Sequence, residues 1–440
     1  MENLCEFIQG LSDDSLKVLN IIQKNGPLTI NNLTDIMNVN RNRIQRLMQP
    51  LLNNKLIIPK DTKLSTGGRF ANSYDINCSD YFVAGLNIGS VRYSISIVDL
   101  KHQRILSKQF SMNASYTPHE FVELTHIQLQ ELLKEVGISY NQLIGLGIGI
   151  AGAIKKDEGI LHRQHSDFFH RDWINAPIRQ LFRETFSLPV EFDLTISADM
   201  LDHYYYGVGR ESERLMIVHC SMSITNGFIL NGQLARALND HQDALAHMTI
   251  DIDGMLCRCG NYGCIDCYSS VQAIVNRFTS EVKIGKQTII QKSADDITIK
   301  DITQAANLQD SLAKNVIGYA ARVLGCGLAN YIRLLNPDTV ILLGIMIDES
   351  DHYFEELHKT VTQRLSYDLN DLKINFIKVK KSEQVFSDSA AVLFIEQLLN
   401  PSGQLIPRIT KRNTNHSKHL KILNPESNHN FVIPSKNKRA

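Results

Sequence analysis

The sequence predicts an α/β protein in which an N-terminal winged helix-turn-helix precedes a larger body of alternating strands and helices. Three observations carry that expectation. Short amphipathic helices joined by a tight turn open the chain, apolar strands alternate with amphipathic helices from about residue 79, and four of the eight cysteines crowd into one eleven-residue stretch. The 440 residues suffice for two or three domains, and 43% apolar residues suffice for ordinary cores. Lys and Arg (46) balance Asp and Glu (46), so a polyanion must be met by a local patch rather than by the whole surface. No apolar run approaches the roughly 18 residues of a membrane span. The N-terminus, MENLCEFIQG, carries no secretory signal, which predicts a reducing, cytoplasmic setting where disulfides do not persist.

Residues 15–25, SLKVLNIIQKN, place Leu16, Val18, Leu19, Ile21 and Ile22 at helical spacing and stop before Gly26-Pro27. Thr29 reads as the N-cap of a second helix ending at Met37, and the turn Asn38-Val39-Asn40 leads into a third that starts near Arg41. That third helix, RNRIQRLMQPLL, hides Ile44, Leu47, Met48 and Leu51 and shows Arg41, Asn42, Arg43, Gln45 and Arg46. Arg pairs with the guanine edge, and Asn or Gln with adenine, so this face suits the major groove. Pro50 should kink or end the helix about one turn early. LIIPKDT and ANSYDIN read as strands joined by KLSTGGRF, a wing whose Arg69 can reach phosphates or the minor groove. From Asn40 to Arg69 seven basic residues face one acid, Asp61. The competing reading is a merely solvated basic helix.

Beyond residue 79, YFVAGLNIGSVRYSISIVDL, RILSKQF, LIGLGIGIAGAI, LPVEFDLTIS and LMIVHCSMSI read as strands, the third ending in a Gly-rich turn. PHEFVELTHIQLQELLKEV and APIRQLFRETF read as helices between them, and LAKNVIGYAARVLGCGLANYIRLL as a long apolar helix of the core.

CRCGNYGCIDC, residues 257–267, follows His247 by a short loop. A closed tetrahedral zinc site needs thiolate and imidazole ligands on turns that fold back, and Gly260 and Gly263 supply such turns. His247, Cys257, Cys259 and Cys264 are the first choice of ligands for one structural Zn2+, with Cys267 as reserve or bystander; unligated thiols are the alternative. Four protein ligands leave no open position for metal-assisted hydrolysis, so no catalytic residue is assigned there.

This segment resembles the zinc signature of the ROK family of repressors and sugar kinases, a His followed by CxCGxxGCxE, with Asp266 where the family has Glu. PVEFDLTISADML and NPDTVILLG extend the resemblance, which is greatest to the Mlc/NagC branch of its repressors. It implies two actin-like lobes behind the winged helix. The domains expected are 1–78 for the winged helix-turn-helix, 79–195 for the first lobe, completed by about 370–399, and 196–369 for the second, zinc-bearing lobe. A basic, disordered tail at 400–440 follows.

The residues that make family members kinases are altered. The ATP loop DIGGTK reads Asn87-Ile88-Gly89-Ser90-Val91-Arg92, and the second Gly-rich loop reads Ser221-Met222-Ser223-Ile224-Thr225-Asn226-Gly227. Where the family has an Asn-Asp pair bearing the catalytic base, this chain has Leu194-Thr195, and a threonine cannot take the sugar proton near neutral pH. The expectation is therefore no kinase activity, and an effector site altered or lost, with Asp193, Thr195, His247 and Asp266 the residues left to hold a small sugar. A strand slipped by two residues would put Asp193 on the same face as Thr195. The resemblance implies a repressor of carbohydrate uptake or metabolism genes, acting as a homodimer or higher oligomer on double-stranded operator DNA. It further implies control by a phosphotransferase-system sugar transporter. A sugar kinase and a pure protein-interaction module are the alternatives.

Overall fold

A computed structural model describes residues 4–60, 72–89, 91–163, 170–230, 232–235, 243–366, 374–380 and 386–401. Helices α1 (Leu4–Gln9), α2 (Asp13–Asn25), α3 (Ile30–Met37) and α4 (Arg41–Asn53) open the chain, with strand β1 (Leu28–Thr29) before α3, and β2 (Ile57–Lys60) and β3 (Ser73–Ile76) after α4. Each start has a local cause. Ser12 caps α2, Thr29 and Asn32 form a reciprocal capping box on α3, and the Asn40 side chain accepts from the Arg43 N–H at 2.9 Å. Asn38 ends α3 in the left-handed conformation. The strands pair antiparallel in the order β1-β3-β2, the pairing expected for a winged helix-turn-helix. α1 and β1 carry too few residues for a periodic signal and were not expected.

Pro50 does not end α4 early. The helix runs on to Asn53, because proline removes only the one bond to the Arg46 carbonyl while buried Leu51 anchors the last turn. The Asn54 backbone N–H and side-chain amide both donate to the Pro50 carbonyl and close that turn.

The chain continues through β4 (Phe82–Ile88), β5 (Arg92–Asp99), β6 (Arg104–Ser111), α5 (Pro118–Val136), β7 (Leu143–Ile150), the hairpin β8 (Ala153–Lys155) and β9 (Ile160–Arg163), α6 (Ile178–Phe186), β10 (Val190–Leu194) and α7 (Thr195–Tyr205). The sheet order is β10-β7-β4-β5-β6, antiparallel from β4 to β6 and parallel through β7 and β10. LPVEFDLTIS is only partly strand: β10 stops at Leu194, and Thr195 opens α7 with no intervening loop. A backbone turned helical there buries the consecutive residues Ile196 to Met200, which an extended run would present alternately to opposite faces.

A second compact unit, built from Ser212–Leu230 and Ala235–Gln384, repeats the pattern. It contains β11 (Arg214–Cys220), β12 (Ile224–Leu230), the last residue of β13 (Gln233–Ala235), α8 (Asp266–Ser269), α9 (Val271–Lys283), α10 (Ile299–Asn307), α11 (Ser311–Leu335), β14 (Thr339–Leu343), α12 (Ile345–Glu349), α13 (Asp351–Leu365) and β15 (Asn375–Lys378). Its sheet runs β13-β12-β11-β14-β15, again with an antiparallel neighbour on one side of the first strand and parallel neighbours on the other. α11 buries Leu312, Val316, Ile317, Leu324, Leu328 and Ile332 and serves the core as expected.

The last helix, α14 (Phe386–Leu399), returns to the first unit. Gly145 and Gly147 of β7 make room for it. A Cβ at Gly145 would lie 2.0 Å from the Phe394 ring, and one at Gly147 would lie 1.9 Å from the Ala390 carbonyl oxygen. One continuous core joins Val18, Leu19 and Ile22 of α2, Ile44 and Met48 of α4, Val83, Val98 and Ile144 of the sheet, and Phe394, Ile395 and Leu398 of α14. The DNA-reading candidate and the first lobe therefore form a single compact unit.

Candidate DNA-reading face and metal centre

α4 divides as its periodicity requires. Ile44, Met48 and Leu51 are buried, Leu47 is half-buried, and Arg41, Asn42, Arg43, Gln45 and Arg46 are all exposed. Arg43 pairs with Asp14 of α2, and Arg41 donates to the Asn31 side chain at 3.2 Å. Both partners sit on flanking helices, so they hold the guanidinium groups ordered yet exchangeable for phosphate or base edges. Arg69, Gly67 and Gly68 of the expected wing tip lie outside the described residues, as does the segment 402–440 of the expected tail.

In the second unit, one ligand atom from each of His247, Cys257, Cys259 and Cys264 lies within 4.8 Å of the others. Cys257 Sγ is 3.5 Å from His247 Nδ1, and Cys259 Sγ is 3.6 Å from Cys264 Sγ. Those spacings match the edges, about 3.8 Å, of a tetrahedron with thiolate bonds of about 2.3 Å. The loop is folded back by backbone bonds from Cys257 N–H to Asn261 (2.7 Å) and from Gly263 N–H to Met255 (2.8 Å). Gly263 has φ +67°, and a Cβ there would stand 1.5 Å from the Asp251 carbonyl oxygen.

Asp243 Oδ2 lies 3.1 Å from His247 Nε2, four residues along the chain, and this hydrogen bond raises the imidazole pKa. The contact presents Nδ1 to the thiols, the carboxylate-histidine arrangement of metal sites. Burial, then its hydrogen bonds to Cys259 and Cys257, push the Cys264 thiol well up. Three crowded sulfurs, those of buried Cys257 and Cys264 and half-buried Cys259, are stable as thiolates only around a cation, so the donor set fits Zn2+. Cys267 is not among the four candidate ligands, although its thiol borders Cys257; its Sγ lies 3.9 Å from the Leu256 carbonyl oxygen. The i,i+4 spacing of Asp243 from His247 is the sequence signal that places it behind the imidazole.

The four residues assigned to an effector divide between the two units, Asp193 and Thr195 in the first, His247 and Asp266 in the second. Each has partners inside its own unit. Asp193 is buried, accepts from the Leu194 N–H at 2.7 Å and pairs with Lys156 at 2.9 Å, which also pairs with Glu191. Thr195 Oγ1 donates to Asn87 Oδ1 at 2.9 Å, so two neutral side chains meet where the family pattern has two carboxylates. Asp266 accepts from the Ile224 N–H at 2.9 Å and pairs with Arg258 at 3.2 Å; burial raises its pKa even so. The N–H that a phosphate loop would offer is thereby already taken, and Arg258 also donates to the Ser223 hydroxyl. Lys156 and Arg258 went unnoticed in sequence because their partners are distant or ambiguous there.

Comparison with known proteins agrees with this geometry. The chain is 24% identical over 383 residues to the xylose repressor of Caldicellulosiruptor bescii, covering 86% of this chain and 95% of that one. It is 25% identical over 338 residues to the DNA-binding transcriptional dual regulator NagC of Escherichia coli, covering 77% and 81%. Among solved structures, a ROK family transcriptional regulator described as a homologue of the E. coli Mlc protein superposes with a TM-score of 0.73 at 20% identity, covering 88% of this chain and 96% of that one. A ROK family glucokinase of Streptomyces griseus superposes with a TM-score of 0.60 at 21% identity, covering 71% and 98%. These two likenesses establish the fold of the lobes. The ROK family pattern itself matches residues 83–396, and this chain belongs to the ROK family.

Proposed function

We propose that this protein is a sequence-specific DNA-binding repressor of genes for carbohydrate uptake or metabolism, without kinase activity, holding one structural Zn2+ per chain. The observation that carries the reading is the exposed row Arg41, Asn42, Arg43, Gln45 and Arg46 on a capped α4 inside a winged helix-turn-helix. The names of its relatives, a xylose repressor and NagC, point the same way. Against phosphoryl transfer stand the neutral Asn87–Thr195 pair and the occupied Ile224 N–H. When bound, zinc would hold the 247–264 loop through His247, Cys257, Cys259 and Cys264 and supply no chemistry.

A single winged helix reads few base pairs, so the working species is a homodimer on a two-fold operator. The internal partners of Asp193, Thr195 and Asp266 favour control by a protein partner over control by a sugar at those residues. The resemblance names its class, a phosphotransferase-system sugar transporter.

The test is selection of bound duplexes from a random pool by the full, zinc-loaded chain, beside an Arg43→Ala, Arg46→Ala variant. An enriched two-fold site that the variant no longer selects supports the reading; a pool without enrichment overturns it. A panel of monosaccharides should shift the melting temperature by less than about 1 °C, since a ligand that binds only the native state must stabilise it.

A further inference from the structure

The end of α2 is held in a buried polar joint. The Lys24 side chain is 3% exposed, ion-pairs with Glu396 of α14, and its ammonium stands 3.6 Å from the Tyr205 ring centroid and 5.2 Å from that of Tyr206. Gln23 donates to the Leu100 carbonyl and to the Tyr206 hydroxyl, both at 2.8 Å, and that hydroxyl donates to Glu396 Oε1 at 3.3 Å. The Asn20 amide donates to the Leu399 carbonyl at 3.1 Å, and Arg210 donates to the Lys24 carbonyl at 2.6 Å. Every partner of α2 in this network comes from the same compact unit, which runs on to Glu211 past the boundary expected at residue 195, and two of them, Tyr205 and Tyr206, stand at the C-terminal end of α7.

The other end of α7 is Thr195, bonded to Asn87 beside Gly149. The helix runs 11 residues, about 16 Å, from that contact to the joint without a break. A buried ion pair bounded by rings fixes orientation, whereas an apolar contact of the same area would tolerate sliding. Among the described residues, the acceptors Asn20 Oδ1, Gln23 Oε1 and Glu396 Oε2 are buried without a hydrogen-bond partner, so polar capacity remains in the joint.

We propose that the Lys24–Glu396–Tyr206–Gln23 joint sets the DNA-reading helices against the first lobe, with α7 as the lever that carries a displacement at Thr195 to α2. The proposal rests on the reading of the chain as a DNA-binding regulator for its biological meaning, but its test does not need DNA. Hydrogen exchange would be followed in the last turn of α2, with β11 and β12 of the second unit as internal reference, for the full zinc-loaded chain and for Tyr206→Phe, Thr195→Val and the two combined. Tyr206→Phe removes one hydroxyl and should speed exchange in α2 about tenfold with the reference unchanged. Thr195→Val should speed it several-fold alone and add nothing once Tyr206→Phe is present. Unchanged exchange in α2 for either single variant, or effects that multiply independently, would overturn the coupling. If the wild-type chain selects no DNA, the regulator reading fails alone and the exchange result still decides the joint.

Discussion

The metal loop of the second unit and the Asn87–Thr195 contact of the first meet opposite fates relative to the family pattern. The loop has a candidate ligand at each His and Cys of the pattern, His247, Cys257, Cys259 and Cys264, with Asp243 behind the imidazole. The contact has exchanged both carboxylates for neutral groups that satisfy one another. The difference follows from what each arrangement costs when altered. A tetrahedral site missing one thiolate loses the metal and with it the fold of the loop. Two carboxylates within hydrogen-bond distance repel, so replacing them removes a cost and loses only chemistry. Carboxylates can be exchanged by small steps, but a four-ligand metal set cannot lose a member in the same way.

The largest break in this contrast should come from Cys257→Ser. Metal content by atomic emission should fall from about one per chain to below about 0.2, and the second unit should lose roughly 3 kcal/mol or more in thermal unfolding. A variant that keeps its metal through Cys267 would revise the ligand set. The converse experiment restores the carboxylates: Asn87→Asp with Thr195→Asp should destabilise the chain by roughly 2 kcal/mol at pH 8 in urea unfolding. Repulsion raises the folded pKa of that pair above its unfolded value, so the stability is present at low pH and lost as pH rises through the folded pKa. Sugar-dependent ATP consumption should stay absent, because the Ile224 N–H remains occupied by Asp266.

On the DNA-reading face, Arg46→Ala should cost about 1–3 kcal/mol of affinity for a selected operator while shifting stability by less than about 0.5 kcal/mol, read by fluorescence anisotropy and urea unfolding. The smallest effect belongs to a helix-capping carboxylate, Asp301. Hydrogen bonds from Lys292 and from Thr298 lower Asp301 to about 2. The pKa is depressed, so its contribution is present above the ordinary carboxylate range and fades as pH falls toward 2. Screened by solvent, it should amount to about 0.5 kcal/mol, seen as a shallower acid limb of the stability curve in Asp301→Asn.

What sequence could show was local. Thr29 and Asn40 cap helices within three residues of themselves, the face of α4 repeats every three to four residues, and the metal ligands lie within one loop. What it could not show was remote. Gly145 and Gly147 belong to a run that reads only as a strand ending in a Gly-rich turn, yet they leave the room that α14 occupies. Thr195 meets Asn87 across 108 residues and Lys24 meets Glu396 across 372, contacts that no window of periodicity contains. Pro50 misled for a related reason, since local propensity weighs a proline by its ring while the buried Leu51 beyond it holds the helix.

The return of α14 to β7 and α2 also orders events in time. At ordinary rates of synthesis, the 372 residues between Lys24 and Glu396 take roughly 20 to 70 s to leave the ribosome. Throughout that interval the reading helices exist without the helix that seats them. A nascent or truncated polypeptide can therefore display the basic face while lacking its support, and only a finished chain holds α4 in the geometry described.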